Sequence, residues 1–143
     1  MNNDKMKIFL VDDDAVFVNS LKTNFLKHAD LEIETFGTGD LCLENLSLNP
    51  DVIFLDHQLS GMDKNAMNGI EVLDKIKAIN PDIPVVLLSK QDKIDLAIEG
   101  LQSQAFDYVM KSESTFDSLQ KIITDVYFNH KIQEEMNALV ETM

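Results

Sequence analysis

The stretch that decides the fold is KIFLVDDD, residues 7–14. Four apolar residues run directly into three carboxylates, Asp12–Asp14. An apolar run without alternation is typical of a strand buried on both faces, as in a parallel sheet covered by helices. A buried strand needs no acidic residues at its end, whereas a bound cation would account for them.

The size and charge of the chain exclude several function classes. Its 143 residues suit one domain with a substantial core. A net charge of -13 argues against binding of nucleic acid or of an anionic membrane by this chain, because both rely on clustered Lys and Arg. The single cysteine, Cys42, cannot form a disulfide within the chain. Together with a polar start and no apolar run of membrane-spanning length, this predicts a cytoplasmic protein.

Short apolar runs alternate with longer amphipathic stretches. The predicted strands cover residues 7–11, 31–36, 52–55, 85–88 and 105–110. The predicted helices cover residues 14–28, 40–48, 69–79, 91–102 and 115 onward. The inward residues expected on the fourth helix are Ile94, Ala97, Ile98 and Leu101. Five such β/α units predict an α/β fold with a parallel sheet and helices on both faces.

Polar residues follow the strands at the edge where a parallel sheet gathers its carboxyl ends. They are Asp12 and Asp13 after the first strand, Asp56 after the third, Ser89 after the fourth and Lys111 after the fifth. Two carboxylates about 5 Å apart repel by roughly 3 kcal/mol at an effective dielectric constant of about 20. Three together therefore predict a cation, and ligands that are all oxygen favour Mg²⁺.

This set of residues suits phosphoryl transfer. Asp56 would act as the nucleophile and form an aspartyl phosphate. Mg²⁺, Lys111 and Ser89 would neutralise the oxygens of the transferring group.

The motifs, taken in order, resemble the receiver domain of bacterial two-component response regulators. The matching residues are VDDD at 11–14, Asp56 after VIFL, Ser89 after VVLL, and DYVMK at 107–111. The resemblance extends over most of the chain, from about Lys5 to about Phe128. It implies a doubly wound, flavodoxin-like sheet of five strands in the order 2-1-3-4-5.

The resemblance also implies a mechanism and its residues. A sensor histidine kinase or a phosphotransfer protein would donate the phosphoryl group to Asp56. Asp13 would bind the metal directly, Asp12 would assist through water, and the backbone carbonyl of Gln58 would complete the metal site. Ser89 and Tyr108 match the switch pair of the family, which would relay phosphorylation to the face formed by the fourth helix, fifth strand and fifth helix.

The sequence departs from the family pattern at three places. Residues 64–68 are an insertion in the loop after Asp56, which we interpret as a tolerated surface insertion. Ser112 follows Lys111 where the family has proline, so we predict a trans peptide bond there. Lys90 follows Ser89 where the family has a small residue, and we hypothesise that it slows hydrolysis of the aspartyl phosphate.

The C-terminal stretch is longer than the fold requires. We divide the chain into a receiver domain at 1–128 and a helical extension at 129–143. Apolar residues in and just before the extension follow the 4-4-3-4 spacing of a near coiled-coil seam: Phe128, Ile132, Met136, Leu139 and Met143. The extension is interpreted as a linker to an output domain outside this chain or as the helix of a homodimer.

The leading interpretation is a phosphorylation-driven switch that is not an enzyme beyond its own phosphorylation and dephosphorylation. One alternative is a degenerate receiver that binds partners without phosphate. Another is a Mg²⁺-dependent phosphohydrolase, although such enzymes carry a second Asp two residues after the nucleophile, where this chain has Gln58.

Overall fold

The computed structural model describes residues 5–27, 30–59, 67–90 and 94–142. Its centre is a sheet of five parallel strands in the order β2-β1-β3-β4-β5. The strands are β1 (Met6–Val11), β2 (Leu31–Phe36), β3 (Val52–Asp56), β4 (Val85–Ser89) and β5 (Asp107–Met110). The predicted fold class and strand order are therefore confirmed.

The helices follow the strands in alternation. They are α1 (Ala15–Phe25), α2 (Gly39–Glu44), α3 (Gly69–Ile79), α4 (Ile94–Gln102) and α5 (Thr115–Glu141). The predicted bounds of α3 are confirmed. The second helix is shorter than predicted because the backbone leaves helical geometry at Asn45, and one turn of 3₁₀ helix follows at Leu46–Leu48.

Alternate residues of the buried strands serve two separate cores. On one face of the sheet, Ile8 and Leu10 of β1 pack with residues of α1 and α5. On the other face, Phe9 and Val11 pack with residues of α2 and α3. This second core includes Cys42, and burial raises the pKa of its thiol to about 12, so it behaves as a small apolar residue.

The expected orientation of α4 is wrong. Ile94, Ile98 and Leu101 are exposed, at 74%, 48% and 60%. The helix instead approaches the sheet through Gly100, which is buried and so close to β4 that a Cβ atom there would lie 2.6 Å from Leu87 Cδ1. The apolar side chains at 94, 98 and 101 consequently form a stripe on the outer surface.

The last helix, α5, continues well past its last buried residue. Its buried residues end at Val126, and the apolar residues that follow are exposed: Phe128, Ile132, Met136, Leu139 and Val140. His130 Nδ1 lies 3.5 Å from Asp51 Oδ1, a contact at the base of the domain that the sequence did not predict. Among the described residues, no helix combines the length and apolar character needed to cross a bilayer.

The insertion after β3 is described only at its end. Residues 60–66 lie outside the described residues, as do His28, residues 91–93 of the predicted fourth helix, and Met143. Met67 packs against the core of α2 and α3, and Asn68 caps α3 through a reciprocal pair of bonds with Glu71. The end of the insertion therefore caps the start of α3.

Candidate functional site

The carboxyl ends of the strands bring the predicted site residues together at one edge of the sheet. Asp12 follows β1 directly, Asp56 ends β3 and Ser89 ends β4. Lys111 follows β5, and its N–H donates to the Ser89 carbonyl at 2.7 Å. The parallel register fixes this convergence, because Asp56 lies opposite Leu88 and Ser89 lies opposite Met110.

Three carboxylates form the floor of the site. Asp12, Asp13 and Asp56 each offer an oxygen, and these oxygens all lie within 4.8 Å of one another. Asp12 and Asp56 are buried, with 4% and 5% exposure, whereas Asp13 is exposed. Such a set of carboxylate oxygens fits a hard cation that keeps part of its water shell, which is the coordination that Mg²⁺ prefers.

Lys111 supplies the positive charge of the site. Its Nζ lies 2.6 Å from Asp12 Oδ2 and 3.4 Å from Asp56 Oδ1, and the side chain is 7% exposed. The same nitrogen lies 4.4 Å from the centre of the Phe17 ring on α1. Phe17 therefore covers the ammonium with a cation–π contact, which strengthens when the cation is shielded from water.

The sequence did not identify Phe17 as part of the site. Phe17 also packs against the core of α1 and α5. The contact with Lys111 depends on where α1 places Phe17 relative to the residue after β5, and the spacing of apolar residues does not predict that position.

The pKa of Asp12 depends on its burial and on the charged groups around it. Burial raises the pKa of Asp12, and the charge of Asp56 adds to the increase. The Lys111 ammonium and the N–H of Asp14, which donates to Asp12 Oδ1 at 2.9 Å, act in the opposite direction without cancelling it. Burial is thus the main cause of the raised pKa of Asp12, and the neighbouring charge of Asp56 is a smaller one.

The backbone around Asp56 is held from both sides. The N–H of Gln58 donates to Asp56 Oδ1 at 3.3 Å, and the N–H of His57 donates to the Leu88 carbonyl at 2.8 Å. The N–H of Gly69 donates to the His57 carbonyl at 2.9 Å. A Cβ atom at Gly69 would lie 2.5 Å from the Asp56 carbonyl oxygen, so the start of α3 can approach Asp56 only with glycine there.

The predicted switch residues occupy adjacent strands. Ser89 is 2% exposed at the end of β4. Tyr108 is half-buried on β5, opposite Leu87, and packs against the core of α2 and α3. Ser89 thus lies inside the site, while Tyr108 lies at the border of the core of α2 and α3.

Two further charges border the site. The Asp14 side chain caps α1 by accepting from the N–H groups of Phe17 and Val16, and these bonds help to lower its pKa. Lys90 Nζ lies 3.8 Å from Asp14 Oδ2, with 63% of the Lys90 side chain exposed. Lys90 therefore extends from the end of β4 toward the loop that follows β1.

The segment after Lys111 departs from the expected family pattern but keeps the lysine in place. The Lys111–Ser112 peptide bond is trans, as predicted. Lys111 still points into the carboxylate cluster.

Comparison with known proteins agrees with this geometry. The family model of the response regulator receiver domain matches residues 8–124. The chain belongs to the response regulator receiver family. The transcriptional regulatory protein ZraR of Klebsiella oxytoca is 30% identical to it over 135 residues, which cover 94% of this chain and 29% of ZraR. The chain thus spans less than a third of that relative.

Solved receiver structures share the fold. The receiver domain of a LuxO repressor protein from Vibrio parahaemolyticus matches with a TM-score of 0.79 at 22% identity, over 92% of this chain and 97% of that one. The receiver domain of the Francisella response regulator 1452 matches with a TM-score of 0.75 at 28% identity, over 88% of this chain and 99% of that one.

Proposed function

We propose that this receiver domain accepts a phosphoryl group on Asp56 from a sensor histidine kinase or a phosphotransfer protein. The observation that carries the proposal is the position of the Asp56 carboxylate. It lies at the sheet edge, 3.4 Å from the Lys111 ammonium and within 4.8 Å of oxygens from Asp12 and Asp13. A buried carboxylate with a fixed cation beside it suits attack on a phosphorus atom.

The transfer forms one bond and breaks one. An Asp56 oxygen would bond to phosphorus while the bond from phosphorus to the donor nitrogen breaks, and hydrolysis by water would later restore the carboxylate. Lys111 would neutralise charge on the phosphoryl oxygens, and the Ser89 hydroxyl would donate to one of them. Asp12, Asp13, Asp56 and the backbone carbonyl of Gln58 would hold Mg²⁺, which supplies further charge neutralisation when it is bound.

Signal output would pass through Ser89 and Tyr108. Movement of the Ser89 hydroxyl toward the phosphoryl group would leave space for Tyr108, which borders the surface formed by α4, β5 and α5. This surface is well suited to protein contacts, because Ile94, Ile98 and Leu101 expose apolar area on α4 and Phe106 and Met110 continue it at β5.

The C-terminal part of α5 would connect the domain to its output. We assign residues 1–128 to the receiver and 129–143 to a helical extension, whose exposed apolar residues favour a linker to an output domain or a homodimer helix. The short coverage of ZraR supports a linker. With a net charge of -13, the chain is not expected to bind nucleic acid or an anionic membrane itself, and we place it in the cytoplasm.

A receiver that binds partners without phosphate is the main alternative. Lys111 lies within contact distance of both Asp12 and Asp56, an arrangement that phosphate-independent binding would not require. A phosphohydrolase is disfavoured because the position two residues after Asp56 is Gln58. We therefore expect no activity on other substrates.

Intact-mass spectrometry after incubation with acetyl phosphate tests the proposal. One phosphoryl adduct is expected with Mg²⁺, and none with excess chelator or in the isosteric variant Asp56→Asn. Asp51→Asn is a matched control, because Asp51 lies at the opposite end of β3. An adduct in Asp56→Asn would refute Asp56 as the acceptor. A folded wild-type protein that takes no adduct and does not bind beryllofluoride would favour the phosphate-independent module.

A further inference from the structure

We propose that Thr115 is a positioning residue for Lys111. Thr115 lies at the first turn of α5, is 2% exposed, and takes no part in the carboxylate cluster. The inference rests on the proposed function, because it concerns the group that would neutralise the transferring phosphoryl oxygens.

One hydroxyl group bonds to the backbone on both sides of Lys111. Thr115 Oγ1 accepts a hydrogen bond from the N–H of Ser112 at 2.6 Å and donates one to the Met110 carbonyl at 3.3 Å. In return, the N–H of Thr115 donates to the Ser112 carbonyl at 3.2 Å. The residue before Lys111 and the residue after it are thereby held by a single buried side chain.

The Lys111 backbone itself is anchored to the sheet. Its N–H donates to the Ser89 carbonyl at 2.7 Å. This bond fixes the start of the residue, but the peptide bond that follows is free of the sheet ladder, since β5 ends at Met110. The bonds of Thr115 supply the missing constraint at that point.

The constraint matters because the Lys111 side chain is long and its ammonium group must lie close to both Asp12 and Asp56. Its Nζ lies 2.6 Å from Asp12 Oδ2 and 3.4 Å from Asp56 Oδ1. A lysine side chain has several rotatable bonds, so a small rotation of its backbone moves the ammonium by a much larger distance. Misplacement of a catalytic group by about 1 Å can cost as much as 10²-fold in rate.

The hydroxyl of Thr115 provides a hydrogen-bond acceptor for the backbone of Ser112. The backbone N–H of Ser112 lies where the chain turns from β5 into α5, and it donates to this hydroxyl rather than to the sheet. Neighbouring serines contribute only locally: the Ser112 and Ser114 hydroxyls lie 3.0 Å apart, and Ser114 makes no side-chain cap bond to α5. Thr115 is therefore the residue that ties the turn to the end of β5.

The test compares Thr115→Val, which keeps the shape and loses the hydroxyl, with Thr115→Ser, which keeps the hydroxyl. The rate of Asp56 phosphorylation by acetyl phosphate is expected to fall about tenfold in Thr115→Val and to change less than about twofold in Thr115→Ser. Amide exchange at Ser112 should become faster in Thr115→Val alone. If Thr115→Val does not fold, Thr115→Ala replaces it with the same expectation.

A double-mutant cycle separates positioning from general stability. If Thr115 acts through Lys111, Thr115→Val should cause no further loss of rate in a Lys111→Ala background. Wild-type rate in Thr115→Val, or an equal loss in both backgrounds, would overturn the inference while leaving the proposed function intact. A wild-type protein that takes no phosphoryl group would instead count against the proposed function.

Discussion

Lys111 Nζ lies 3.4 Å from Asp56 Oδ1, so the cation of the site already contacts the carboxylate that we propose as the phosphoryl acceptor. The same nitrogen lies 2.6 Å from Asp12 Oδ2. One positive charge thus serves two buried carboxylates, and the third, Asp13, completes a cluster that remains short of positive charge. This imbalance is what a metal ion and a phosphoryl group would exploit.

Replacing Lys111 should remove most of the phosphorylation rate. We expect Lys111→Ala to slow phosphorylation of Asp56 by acetyl phosphate about 10²-fold, because no other described side chain brings a cation to Asp56. Lys121→Ala is the matched control, since Lys121 is exposed on α5. Rates from intact-mass time courses check the prediction, and a Lys111→Ala rate equal to that of the control would contradict it.

The contact between Phe17 and Lys111 should be measurable as an interaction energy. With the ammonium 4.4 Å from the ring centre and almost fully buried, we expect a coupling of about 1 kcal/mol in unfolding free energy. A double-mutant cycle of Phe17→Leu and Lys111→Met, followed by urea unfolding, gives the coupling. Strictly additive effects of the two substitutions would show that the Phe17 ring packs in the core without a cation–π interaction with Lys111.

The stability of the metal-free protein should depend on the ionisation of Asp12. Its pKa is raised in the folded state, chiefly by burial, so the folded protein binds this proton more tightly than the unfolded chain. The stabilising contribution of the protonated form is present at low pH and is lost as the pH rises through the raised pKa. Ionised Asp12 therefore lowers stability at neutral pH.

The variant Asp12→Asn isolates this effect. It should be more stable than the wild type at neutral pH, and its advantage should shrink as the pH falls toward the raised pKa of Asp12. Urea unfolding of both proteins with chelator present, at neutral and mildly acidic pH, measures the difference. An advantage that grows on acidification would contradict the assignment.

Lys90 should prolong the lifetime of the phosphorylated protein. Its ammonium lies 3.8 Å from Asp14 Oδ2 at the border of the site, where it can restrict the approach of water to the phosphoryl group. We expect Lys90→Ala to shorten the lifetime a few-fold, while Lys75→Ala on the exposed side of α3 leaves it unchanged. The decay of the adduct after removal of the donor gives the lifetime. Equal decay rates in both variants would contradict a role of Lys90 in protecting the phosphoryl group.

The sheet could be predicted from the sequence because its strands carry their own signal. VIFL and VVLL are unbroken apolar runs, and the residues just past them converge in any parallel sheet. Asp12, Asp13, Asp56 and Lys111 could be brought together on that basis alone. Their separations could not, because the distances depend on side-chain conformations at the sheet edge.

The orientation of α4 could not be predicted from the same kind of pattern. Ile94, Ile98 and Leu101 have the spacing of a buried helix face, yet Gly100 faces the sheet. Spacing shows that a helix has an apolar side, but it does not show whether that side meets the core or a partner. The exposed stripe on α4 is therefore a property of the tertiary structure.

Contacts between distant elements likewise could not be predicted from the sequence. Phe17 and Lys111 are 94 positions apart in the sequence. His130 Nδ1 likewise lies close to Asp51 Oδ1, although the two residues are far apart along the chain. The sequence predicted only that a helix starts at Thr115, and it did not predict that the Thr115 hydroxyl bonds to Ser112 and Met110. Each of these contacts follows from how α1 and α5 pack on the sheet.

Chemical mapping of the phosphorylated residue tests the central claim most directly. Borohydride reduces an aspartyl phosphate to homoserine, so treatment of the phosphorylated protein, followed by peptide mass spectrometry, marks the acceptor. We predict homoserine at position 56 alone, dependent on both the phosphoryl donor and Mg²⁺. A phosphoryl group found on another residue, with an unmodified Asp56, would contradict the account.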